Sequence, residues 1–226
     1  MTSIYQEALG DDFARLHPKL QWRFGFSSVD GVCHLGKGVM EEIWRGRFFT
    51  LPFLLLGSTR RVLFPSRGRD IPFTLANYAY VDDSGRETVT WSRRFKMRRR
   101  FRAFDATMIY SRSRRLIVDY LGTHQHLAVD IHCSVDDEGA MCLRTGEQRF
   151  YEGPVAFRFP LMFSGVADVR EWWDDEAERF RIDVTVSNRV FGPLFGYRGS
   201  FDVTERECAP DDIPLDVRPL REERRE

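Results

Sequence analysis

Lysine is almost missing from this chain: of 34 basic residues only Lys19, Lys37 and Lys96 are lysines, and arginine supplies the rest along the whole length. Such an even bias points to codon usage rather than to a binding signature. Net charge is missing too, since 34 acidic residues balance the basic ones, which excludes the global positive field of a dedicated nucleic-acid binder. The four cysteines, Cys33, Cys133, Cys142 and Cys208, form no C-x-x-C pair and no zinc-finger spacing, so reduced thiols are expected and neither a structural zinc nor a redox motif is indicated. No uninterrupted apolar run approaches the length of a membrane-spanning helix, and the first residues lack a basic region followed by an apolar one. The expected location is therefore cytoplasmic or membrane-peripheral. Nucleotide-binding P-loop, dinucleotide fingerprint, nucleophile elbow and HExxH are all absent, which removes the commonest readable enzyme classes.

What is present is a hydrophobic fraction of 42% and an aromatic fraction of 14% in 226 residues, enough for one domain to bury a core without staples. Residues 3–24 place Ile4, Tyr5, Ala8, Leu9, Phe13, Leu16, Leu20 and Phe24 at helical spacing, with Gly10 and Pro18 dividing them into two pieces. Residues 28–44 are glycine-rich and read as a bent strand. The stretch Phe48–Leu56 is too short to span a bilayer and too apolar to face water, so it is expected to cap the core or lie at an interface. Arginines flank it throughout 45–69, making that segment the candidate for peripheral membrane contact. The arginine-rich run 93–102 has no accompanying nucleic-acid motif and reads as a connection between strands, and nucleic acid is not an expected partner.

From Ile71 onward turn signals recur about every ten residues, as in an antiparallel meander. Pairing by hand around Asp82–Gly85 sets Tyr80 opposite Glu87, Tyr78 opposite Val89 and Ala76 opposite Trp91. Further hairpins turn at 111–114, 136–139 and 174–179, and a last strand follows Gly192–Pro193, giving about ten strands. Residues 1–206 form one domain. The remainder, 207–226, is rich in proline and charge and is expected to be disordered or loosely attached.

Two clusters carry the candidate chemistry. Strand periodicity puts His124, His126, Asp130 and His132 on one face, with Tyr151, Arg149 and Glu147 opposite His124, His126 and Ala128. A His-x-His pair with Glu147 could begin a metal site, but Arg149 would oppose the cation and no third ligand is fixed by spacing, so no metal and no cofactor are assigned. In the next hairpin, matching Phe180, Ile182, Val184 and Val186 to Trp173, Glu171, Val169 and Ala167 drops Glu171 onto the apolar face. There it would titrate high, or pair with an arginine such as Arg93. An internal apolar pocket is expected, lined by Tyr78, Tyr80, Trp91, Met108, Trp173, Phe180 and Ile182, with Arg93 and Glu171 to orient a ligand.

The blocks SIYQEALGDDFARLHPKLQWRFGF, GKGVMEEIW, TLPFLLLG, GRETVTWSRRF, FRAFDATMIYS, IVDYLGTHQHLAVDI, GEQRFYEG and FGPLFGYRGSF resemble the domain-of-unknown-function family DUF4166, in particular the soluble domain of YndJ-like proteins, and the resemblance runs from about Ser3 to Glu205. That resemblance implies no established catalytic residues and no activity. From periodicity, the fold class is α+β: a strongly curved antiparallel sheet of about ten strands with N-terminal helices, calycin-like or START-like. The leading function is non-enzymatic binding or carriage of a hydrophobic small molecule or lipid. The alternatives are a metal- or carboxylate-dependent enzyme using His124, His126 and Glu147, and a structural interaction module.

Overall fold

Strands alternate their side chains between two faces; residues 179–188 bury every second side chain, whereas 117–120 are buried on both faces, so the sheet has a core face and, over part of its outside, a second covered one. The computed structural model describes residues 2–46, 66–98, 101–159 and 165–226; the 48–57 stretch and most of 45–69 lie outside them. The strands are β1 (Val32–Arg45), β2 (Gly68–Val81), β3 (Glu87–Lys96), β4 (Phe101–Ser111), β5 (Leu116–Leu121), β6 (Leu127–Val135), β7 (Met141–Glu152), β8 (Val155–Phe159), β9 (Val166–Asp174), β10 (Arg179–Asn188) and β11 (Gly192–Glu207). Ten of them close into an antiparallel barrel: β1 to β7 pair in sequence, β7 pairs with β9, and β9, β10 and β11 lead back to β1. The long β7 uses Met141–Arg144 for β9 and Gln148–Glu152 for β8, so the short β8 is an added strand outside the closed ring. The ten strands legible from periodicity are the ten of the barrel, and of the two architectures expected, the calycin-like one matches.

Closure bends β1 and β11 tightly together. A Cβ on Gly38 would lie 2.1 Å from the Ser200 carbonyl oxygen, and one on Gly199 would lie 2.2 Å from that of Val39, so only glycine permits the approach.

Two short helices enter one end. Helix α1 (Ile4–Leu9) starts with a capping box in which Ser3 Oγ accepts from the Gln6 amide at 3.1 Å and Gln6 Oε1 accepts from the Ser3 amide at 3.0 Å. Helix α2 (Pro18–Gly25) has proline at its first position and His17 as N-cap. Ser3 Oγ donates to the Phe24 carbonyl at 2.7 Å, tying the two together. Ile4, Tyr5, Leu20 and Phe24 are thereby buried in the same core as Trp91, Phe95, Met108, Phe180, Phe195 and Phe201. The helices form a plug, and the core lies between plug and wall.

The β2–β3 register differs by one residue from the hand pairing. Tyr78 faces Thr90, Tyr80 faces Thr88, and Asn77 faces Trp91. The Asp82 amide donates to the Arg86 carbonyl at 3.0 Å, enclosing a three-residue loop with Gly85 at φ 78°, where the hand pairing assumed a symmetric turn. One residue of slip exchanges the faces. Tyr78 and Tyr80 thus point outward, into a cluster with Cys33 and Ile213.

Ile213 belongs to the segment beyond residue 206, and that segment lies along the outer face rather than apart from it. The Leu220 amide donates to the Thr123 carbonyl, Tyr120 donates to the Arg225 carbonyl at 2.9 Å, and Tyr151 donates to that of Glu226 at 3.1 Å. Composition hid this docking because it depends on one buried isoleucine, on backbone carbonyls and on polar side chains such as Glu222 and Glu226 rather than on an apolar period.

Candidate ligand site inside the barrel

Glu171 lies inside the barrel, as the β9–β10 pairing required: Ile182 is opposite Glu171 and Phe180 opposite Trp173. Its partner comes from the plug. Arg23 of α2 is 1% exposed, and its Nε donates to Glu171 Oε1 while its Nη1 donates to Asn77 Oδ1 at 3.0 Å. The guanidinium also sits over the Trp91 ring, 5.1 Å from its centre, with Phe180 and Phe201 at 5.7 and 5.3 Å. An arginine at this depth needs a carboxylate. Burial raises the Glu171 carboxyl above its ordinary range, and Arg23 followed by Arg93 pulls it back.

Arg93 of β3 is the second buried cation. It lies 5.5 Å from the centre of Trp91 and 3.9 Å from that of Phe104, and its Nη1 donates to the Tyr197 hydroxyl at 3.2 Å. Among the described residues it forms no ion pair, unlike Arg23. Asp119 of β5 faces the same interior, since Ile117 on its strand joins the inner core while Val118 and Tyr120 join an outer cluster. Burial pushes the Asp119 carboxyl up to about 7, against the pull of Arg93 and of the Thr107 backbone. Tyr5 of α1 completes this region: its hydroxyl accepts from Trp91 Nε1 at 2.8 Å and donates to Met108 Sδ at 3.4 Å.

Five polar atoms on five of these residues are buried without a hydrogen-bond partner: Arg23 Nη2, Asn77 Nδ2 and Arg93 Nε as donors, Asp119 Oδ1 and Glu171 Oε2 as acceptors. Each orphan costs on the order of 1–3 kcal/mol when nothing meets it. Their concentration around Trp91 is the most distinctive chemical feature of the molecule.

A cleft of ≈ 410 Å³ opens on the outside where α2 meets β9, β10 and β11, lined by Pro18, Lys19, Trp22, Trp173, Phe180 and Val203 among others. Phe180 is shared, with one side on the cleft and its ring beside Arg23.

Of the residues expected to line a pocket, Trp91, Met108, Phe180 and Ile182 are in the inner core, with Trp173 packed at its margin, and Arg93 and Glu171 are brought together beside them. Tyr78 and Tyr80 are not, for the reason of register given above. Arg23, Asn77, Asp119 and Tyr197 are additions. Arg23 carried a readable signal, lying between Leu20 and Phe24 on the helix's apolar side. Asp119 carried another, an acid in the middle of LIVDYL, where both faces are otherwise buried.

The histidine cluster is arranged differently from its expected form. Strand β6 begins at Leu127, and Gln125 takes φ 53°, so the alternation does not extend back through the two histidines. Arg149 stands opposite Ala128 rather than His126, a displacement of two residues: the acidic turn encloses three residues, the Asp136 amide donating to the Ala140 carbonyl at 3.2 Å, which shifts the register by one, and the bulge in β7 between Thr145 and Gln148 adds the second. The His124 and His126 rings stack 5.5 Å apart, and His126 Nδ1 is 2.9 Å from Glu152 and 3.1 Å from Arg221. Glu147 instead joins Asp130, Arg114 and Arg149 on the outer face, and Tyr151 packs with Tyr120. No group of three metal-ligating side chains occurs among the described residues. No described helix is long and apolar enough to cross a membrane.

The sequence profile of the domain of unknown function DUF4166 matches residues 16–201. The chain belongs to the DUF4166 family. A relative in Bacillus subtilis (strain 168), the uncharacterized protein YndH, is 34% identical over 208 residues, spanning 92% of this chain and all of the relative. The family is the one that the sequence blocks resembled, through a YndH rather than a YndJ relative. Its matched span contains Arg23, Asn77, Arg93, Asp119 and Glu171, and ends before the docked tail of this DUF4166 protein.

Proposed function

We propose that this DUF4166 barrel binds one small amphipathic molecule in its interior, the apolar part among Trp91, Met108, Phe180 and Ile182 and the polar end at the orphaned groups around Arg93. The supporting observation is the set of five unpartnered buried polar atoms, which a core built only for stability would have paired or replaced by hydrocarbon. The architecture agrees: side chains alone fill a barrel of about eight strands, and ten leave more room, part of which the plug takes. Binding requires no chemistry from these groups, so the reading is a carrier or sensor rather than an enzyme.

Native mass spectrometry of protein purified from its own host, together with titration by the neutral probe N-phenyl-1-naphthylamine, tests this. The expected result is a co-purified small molecule or saturable one-to-one probe binding that Ala106→Trp blocks, Ala106 being fully buried on the inner wall. A folded protein that carries nothing and gives no saturable signal would leave the barrel a solid scaffold.

A further inference from the structure

The charges inside the barrel are not matched in the same way at its two arginines. Arg23 bonds directly to Glu171. Among the described residues the Arg93 guanidinium donates only to the neutral Tyr197 hydroxyl, and it stacks on Phe104. The carboxyl groups close enough to feel it, Asp119 and Glu171, do not touch it. A guanidinium cannot shed its proton at any ordinary pH, so whenever Asp119 is protonated the interior holds one positive charge more than its carboxylates balance. Uncompensated buried charge is costly. A neutral ligand would satisfy single orphans but leave that charge in place, whereas an anionic head removes it and occupies donors at once.

Resting on the reading of the interior as a ligand site, we infer that the ligand is a monocarboxylic acid with an apolar chain, its carboxylate bonded to Arg93 and accepting a hydrogen bond from protonated Asp119. Asn77 Nδ2 and Arg23 Nη2 are further donors without partners on the Trp91 side. The groups that face Asp119 from the surrounding elements are Arg93 of β3, the Thr107 backbone of β4 and the Tyr5 phenol of α1, with Cys133 of β6 beyond Tyr5. Tyr5 is occupied by Trp91 and Met108, and burial holds both it and Cys133 in their neutral forms. Asp119 is then the group that must gain a proton when a second carboxylate arrives, and it does so because two carboxylates in contact cannot both stay ionised. Binding therefore takes up a proton and weakens as pH rises.

The test compares dodecanoic acid with dodecanol by calorimetry on the full chain at pH 6 and pH 8. The acid is expected to bind at least about tenfold more tightly than the alcohol at pH 6, since a charge-assisted bond is worth roughly twice a neutral one. At pH 8, titrations in phosphate and Tris should report uptake of about one proton. Arg93→Met should erase the acid's advantage over the alcohol, with an unchanged circular dichroism spectrum showing that the variant folds. Asp119→Asn should keep acid binding and flatten its pH dependence. Equal affinity for acid and alcohol in the natural protein, or an Arg93→Met variant that still prefers the acid, overturns the inference while the ligand site stands. Binding of neither compound, with N-phenyl-1-naphthylamine silent as well, removes the site and the inference together.

Discussion

Two sets of arginines and carboxylates lie on opposite faces of the same wall, and they are finished to different degrees. Outside, Asp130 accepts from Arg114 at 2.7 Å and Arg149 at 2.6 Å, and Glu147 accepts from Arg114 at 3.1 Å and Arg149 at 3.0 Å, with Arg158 3.3 Å away. Each carboxylate has at least two guanidinium partners. Burial would raise Asp130, but its bonds to Arg149 and then Arg114 outweigh that and hold it below the ordinary carboxylate range. Inside, one pair is closed and the rest is open: Asp119 titrates near neutrality, Arg93 lacks a carboxylate in contact among the described residues, and six atoms, His34 Nδ1 included, are orphaned against the single Arg149 Nε of the outer set. A cluster that serves stability satisfies its members, whereas one that awaits a ligand leaves donors and acceptors in place for it.

The largest expected effect breaks the closed part of the inner set. Arg23→Met leaves Glu171 buried without its cation, and one-sided removal from a buried pair costs about 3–5 kcal/mol, or roughly 6–20 °C in melting temperature for a chain of this size. Arg23→Met with Glu171→Leu should recover much of that loss, because an apolar pair of similar volume replaces both charges. A thermal melt of the two variants checks it; an unchanged single variant would mean that Arg23 does not anchor the plug.

The sheet was legible because its hairpin turns carry strong local chemistry. The turn at 174–179 set its register by itself and delivered Glu171 to the interior by alternation alone. What stayed hidden depends on fine turn geometry or on distant contacts. A single extra residue in the Asp82–Arg86 loop reversed Tyr78 and Tyr80, and the same kind of loop at Asp136–Ala140 together with the bulge in β7 moved Arg149 away from His126. The Arg23–Glu171 bond joins residues 148 positions apart, so no local pattern could show it. That a buried glutamate needs an arginine was foreseeable, but which arginine was not, in a chain where nearly every basic residue is one.

A middle-sized effect sharpens the comparison at the plug's edge. His34 is fully buried between the Trp22 and Phe26 rings, 4.5 and 4.3 Å away, with Nε2 at 3.3 Å from Glu205. Burial, and then the positive charge of Arg23, push its imidazole down to about 4, against Glu205. A base whose folded pKa is depressed resists protonation in the native state, so stability is retained above about pH 6.5 and falls as pH drops from there to 4. The loss should reach about 2–3 kcal/mol. His34→Phe should show a shallower decline over that window by urea unfolding at several pH values. Identical slopes for the two proteins would assign the acid sensitivity elsewhere.

The smallest effect is expected from the outer set. Arg114 is 30% exposed at its side chain and shares both of its carboxylates with Arg149. Removing it in Arg114→Ala leaves Asp130 and Glu147 each with a guanidinium still bound, so neither becomes an orphan. Solvent also reaches the site and screens the pair. The cost should be about 0.5–1 kcal/mol, a shift of roughly 1–4 °C, and the affinity for dodecanoic acid should not move because the residue points away from the interior. If Arg114→Ala weakened acid binding as strongly as Arg93→Met, the two faces of the wall would be coupled, and the contrast between a finished cluster and an open one would lose its functional meaning.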